Sequence, residues 1–164
     1  MTLTPLQVIV TMVLAVALFA IGLVTYEYFF DWTLPFLDGI QIFVPHASSA
    51  FSGMMIHAFT LAVIPVVTVV VWAYAPVNSS KRRLLSVIIL LTGIFVAILI
   101  RIQWLNIWFG YSTDTPGVQN YKSISLTELK ISNYMPFGLL GGAVITFFLL
   151  HQPKSITSKN NSSF

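Results

Sequence analysis

The chain has no cysteine. That excludes disulfides, thiolate nucleophiles, Cys-ligated zinc and iron–sulfur clusters, and restricts metal binding to His, carboxylate, Met and backbone donors. Charge is scarce too: Asp, Glu, Lys and Arg make up 8% of 164 residues, against about 25% in ordinary soluble domains. With 57% hydrophobic residues, such a chain has lipid as its natural solvent. Acid is the scarcer charge, with five carboxylates, Glu27, Asp31, Asp38, Asp114 and Glu128, against eight Lys and Arg. The sequence contains no Gly-rich phosphate loop, nucleophile elbow or paired-His haem pattern, so it matches no catalytic template. A net charge of +3 would direct a soluble protein toward nucleic acid. Here the basic residues flank apolar runs and read as orientation signals, so no nucleic-acid partner is expected.

What the chain does have is four apolar runs: Leu6 to Tyr26, Phe51 to Ala75, Leu84 to Ile100 and Tyr134 to Leu150. Each falls in the range of roughly 17 to 25 residues that a helix needs to cross a bilayer. The first run is too long for a signal-peptide core and has no Lys or Arg before it, so it is expected to be a retained helix. The expected fold is all-α, an integral membrane four-helix bundle in a single domain over 1–151. A polar cytoplasmic tail follows at 152–164, with a Ser/Asn-rich composition that predicts disorder.

Lys81, Arg82 and Arg83 lie between runs two and three, and Lys154 and Lys159 follow run four, with no acid in either segment. The bias of Lys and Arg toward the cytoplasm then predicts an N-in, C-in topology with two outer loops that carry all the carboxylates. Tyr26, Tyr28, Phe29, Phe30 and Trp32 at the end of run one, and Trp104, Trp108, Phe109 and Tyr111 after run three, form aromatic belts at that outer surface. In the first outer loop Phe36, Leu37, Ile40, Phe43 and Val44 recur at near-helical spacing. This spacing predicts a short interfacial helix between Pro35 and Pro45, with an irregular apolar loop as the alternative. Gly138, Gly142 and Thr146, and likewise Ser49, Gly53 and His57, are spaced by four, stripes that allow close helix approach.

Ionisable side chains inside a bilayer need partners or water. His57 and Arg101 fall at matching depths, roughly 10 to 12 Å below the outer ends of their helices, with Glu27 slightly higher. Gly138, Gly141 and Gly142 leave room at that level of the fourth helix. Two readings stay open. In one, Glu27, His57 and Arg101 line a pocket for a ligand, quinone headgroup or metal. In the other, Glu27 pairs with Arg101 as internal glue, and His57 bonds a carbonyl or Thr60. Asp38, His46 and His57 form a second candidate, a metal site with copper as a candidate ion. A continuous helix would hold His46 and His57 about 16 Å apart, so sharing an ion requires the chain after Pro45 to fold back.

The function expected from these features is a non-catalytic structural or assembly subunit of a larger integral membrane complex, of the respiratory or oxidase type, in the cell (inner) membrane. Its partners would be lipid and other membrane subunits or a second copy. The alternative is a small membrane enzyme or redox or ligand-binding protein using metal or quinone at Glu27, His57 and Arg101.

Overall fold

A computed structural model of the chain describes residues 4–37, 41–43, 48–74, 79–110, 123–125 and 129–150, with the backbone alone at 41–43, 48–50, 109–110 and 123–125. Asp38, His46 and the expected tail at 152–164 lie outside these residues.

Four helices dominate: α1 (Pro5–Thr33), α2 (Ser48–Tyr74), α3 (Ser80–Gly110) and α4 (Met135–Leu150). All four belong to segments long and apolar enough to cross a membrane, Pro5–Phe36, Phe51–Tyr74, Ser80–Trp108 and Ile131–Leu150. The start of α1 is specified locally. The Thr4 hydroxyl accepts from the Gln7 amide at 3.3 Å, the Thr4 amide donates to the Gln7 side chain at 3.0 Å, and Pro5 occupies the first turn where its missing N–H is not needed. At its other end α1 tightens into a 3-10 turn, Leu34–Phe36. The Asn106 side chain of α3 anchors that turn by donating to the Phe36 carbonyl at 2.8 Å. Pro65 lies inside α2, which continues through it.

The helices associate as two pairs, α1 with α2 and α3 with α4, joined mainly through α2 against α4. Backbone proximity explains both pairings. A Cβ at Gly22 would lie 2.6 Å from the Ala58 Cα, and a Cβ at Gly138 would lie 2.7 Å from the Ile94 Cα and 2.8 Å from the Ala97 Cβ. Only a residue without a side chain lets the backbones approach this closely. The core follows one stripe of α3, with Leu90, Ile94, Ile98 and Ile102 spaced by four and Leu105 completing it. This stripe packs on Met135 and Leu139 of α4, with Leu61, Ile64 and Val67 of α2 against it. Helix α1 stays peripheral: 6% of its most apolar window is buried.

The short helix expected between Pro35 and Pro45 is not what forms. Gln41–Phe43 is a strand, β1, paired in parallel with β2, Ser123–Ser125, in the register Gln41↔Ser123, Ile42↔Ile124 and Phe43↔Ser125. The near-helical spacing there is interrupted by Gly39, and the distant segment supplies the backbone partners that a helix would have found within itself. The fold is therefore helical with one small two-stranded ladder. That ladder sets Gln41–Phe43, which follows α1 in the chain, beside Ser123–Ser125, which follows α3.

At the opposite end, where α3 begins with Lys81, Arg82 and Arg83, the pairs are locked by polar contacts. The Trp72 indole donates to the Ser86 hydroxyl at 2.7 Å, Ser86 donates to the Arg83 carbonyl at 2.6 Å, and the Arg83 guanidinium lies 5.3 Å from the Trp72 ring centre. Leu150, at the end of α4, packs on the same Trp72.

Candidate functional site

Four residues of α1 spaced along one face, Gly22, Thr25, Tyr26 and Phe29, meet α2 around His57. The contacts with Ala58 and Gly53 bring the two helices together on either side of the imidazole. A Cβ at Gly22 would strike Ala58, and one at Gly53 would strike the Tyr26 hydroxyl. His57 is 4% exposed. Its Nε2 lies 3.4 Å from the Thr25 hydroxyl, which itself donates to the Ile21 carbonyl at 2.9 Å. Nδ1 is buried and without a hydrogen-bond partner among the described residues. Aromatic faces surround the ring, with Phe29 at 4.7 Å and Tyr26 edge-on at 5.8 Å between centroids. Tyr26 in turn hydrogen-bonds the side chain of buried Ser132.

Arg101 occupies a separate nest, built by α3 and the turn leading into α4. It is 6% exposed, and its Nε donates to the Leu129 carbonyl at 2.9 Å. The guanidinium carbon lies 4.8 Å from the Trp104 ring centre and 5.1 Å from that of Tyr134. Two aromatic faces and a carbonyl give a buried cation much of what water would otherwise supply. The turn that delivers these groups is strained. Lys130 has φ 46° and ψ 31°, a left-handed conformation, before the 3-10 turn Ile131–Tyr134.

The sequence placed Glu27, His57 and Arg101 at one level. The structure puts His57 and Arg101 in the interior but Glu27 on an exposed face of α1, and no ion pair joins Glu27 to Arg101 among the described residues. Helical rotation accounts for the split. Tyr26 faces α2, and a step of about 100° carries Glu27 away from it. The room expected at the glycines of α4 is taken as well. Gly138 and Gly142 abut the α3 backbone, and Gly141 faces outward, where an added Cβ would have nothing within 4 Å. Thr60, expected as a partner of His57, donates to the Ile56 carbonyl at 2.7 Å. Of the Asp38, His46 and His57 set, only His57 is among the described residues. No group of three or more His, Asp or Glu that could hold a metal occurs among those residues.

Sequence reasoning missed the flanking groups. Thr25 and Phe29 carry a detectable signal, the 22, 25, 26, 29 spacing of a helix face. The Leu129 carbonyl has none, because every residue has one. Comparison with family models, curated proteins and solved structures gave no match, so no activity reaches this chain by similarity.

Proposed function

We propose that this chain is a non-catalytic structural subunit of a larger integral membrane complex, crossing the bilayer four times with both termini in the cytoplasm. The observation that carries this reading is that most polar groups buried within the spans, His57 Nδ1 and Asn106 Oδ1 excepted, are turned onto the protein itself. Arg101 is held by a carbonyl and two rings. The hydroxyls of Thr33, Thr60, Thr68 and Thr146 donate to carbonyls three or four residues earlier, and Ser86 does the same. Groups satisfied in this way stabilise helices and offer little to a substrate. The parent assembly expected from the sequence is of the respiratory or oxidase kind, in the cell (inner) membrane. The orientation is supported by the cations at the start of α3 and by the exposed Glu27 and Asp31 near the far end of α1.

One observation favours a second reading, a ligand-binding or redox protein: the unsatisfied Nδ1 of His57. Purification in mild detergent separates the two. Integral partners at fixed stoichiometry, with no visible chromophore and no bound metal, support the subunit. A chromophore or one equivalent of metal on the isolated chain transfers the function to the His57 level.

A further inference from the structure

We infer that the basic end of the bundle is a binding surface for the headgroups of anionic phospholipids. The inference rests on the spanning topology proposed above, with this end at the cytoplasmic leaflet.

Positive charge is concentrated there. Lys81, Arg82 and Arg83 are consecutive and make up three of the eight basic residues of the chain, and no carboxylate occurs in the sequence between Asp38 and Asp114. Lys81 and Arg83 are exposed and Arg82 half-exposed. Leu150 packs on Trp72, so α4 also ends here.

The placement also runs against the helix that carries it. All three cations lie in the opening residues of α3, where the aligned peptide dipoles present their positive end, and no acidic residue occupies the first turn. Cations there repel the helix terminus as well as one another, and an anion seated among them removes both penalties. Trp72 fixes the geometry. Its ring is the platform for the Arg83 guanidinium, and its N–H is anchored to Ser86, so an amphipathic ring and a cation are held together at interfacial depth. Phosphate on a lipid fits this arrangement because apolar helix faces begin directly beside it: Leu84, Leu85 and Ile88 of α3 are all exposed. An acyl chain can lie along those faces while its headgroup meets Lys81 and Arg82.

The full chain is purified from nanodiscs holding equal amounts of phosphatidylglycerol and phosphatidylcholine, and retained lipid is counted by native mass spectrometry. Phosphatidylglycerol is expected to dominate. Lys81→Gln combined with Arg82→Gln should lower its preference over phosphatidylcholine by roughly ten- to thirty-fold at low salt, each interfacial cation contributing about fivefold. Lys130→Gln, which removes an exposed cation from the other end, should leave the ratio unchanged. Equal retention of both lipids, or a preference that the double variant does not move, overturns the inference. Thermal stabilisation by inorganic phosphate equal to that by phosphatidylglycerol also overturns it, by making the surface a free-anion site. Alkaline carbonate extraction of membranes keeps the two readings apart: a chain that is stripped off fails the spanning topology, whereas an embedded chain with no lipid preference fails the headgroup inference alone.

Discussion

The two buried ionisable side chains differ in how completely they are satisfied. Arg101 has a carbonyl and two aromatic faces, so Arg101→Leu strands the Leu129 carbonyl and should lower stability by about 1–3 kcal/mol. Glu27 is exposed, and Glu27→Gln should change the melting temperature in detergent little. The effects of the two substitutions are expected to add, because no ion pair joins them among the described residues; a double-variant melt that departs from the sum by more than about 0.5 kcal/mol would show a coupling between the two positions. His57 presents the opposite case. Its bare Nδ1 costs about 1–3 kcal/mol in an apolar surround, and Phe29 lies against the ring, so His57→Phe should melt at or above the temperature of the unaltered chain. A marked loss of stability would mean that Nδ1 has a partner. Loss of parent-complex activity in a stable, assembled His57→Phe chain would assign the imidazole a chemical task. That these two residues fall inside long apolar helices was legible in the sequence alone. Their separation was not, because it depends on the rotation of α1 about its axis and on the Leu129–Tyr134 segment, which approaches Arg101 from further along the chain with no side-chain signature.

At the scale of elements, glycines decide which helices pair. Gly138→Ala puts a methyl into the Gly93 carbonyl and the Ile94 backbone, and since backbone cannot rotate aside, the α3–α4 contact should lose about 1–3 kcal/mol or more. Gly141→Ala, on another face of the same helix with open space around it, should be neutral or gain up to about 1 kcal/mol from helix propensity. Melting temperatures of the two variants measured side by side check this, and equal losses would remove Gly138 from the interface. The Gly138, Gly142 and Thr146 stripe was readable as a packing face because a spacing of four keeps small residues on one side of a helix. The four long apolar helices were readable for a simpler reason, since apolar runs as long as a bilayer is thick exceed what the core of so small a soluble domain could bury. The ladder was not. Three residues at 41–43 and three at 123–125 are too short for a periodicity to register, and their pairing is set by the helices between them.

For the molecule as a whole, topology is the property that the cysteine-free sequence makes easiest to measure. Ser79→Cys should resist a membrane-impermeant thiol reagent in intact cells, and Asp31→Cys, exposed near the far end of α1, should react. The reverse pattern would invert the proposed orientation. The ladder also constrains how this arrangement is reached. Parallel strands require a crossover connection, and here the crossover contains both α2 and α3. In the proposed four-span topology the ladder therefore cannot close on a chain that has inserted only its first hairpin, nor on one in which α3 has failed to cross. Under it, Ser123–Ser125 reach the side of Gln41–Phe43 only after the third passage. Under that topology the pairing of β1 with β2 depends on the preceding passages being complete and correctly directed.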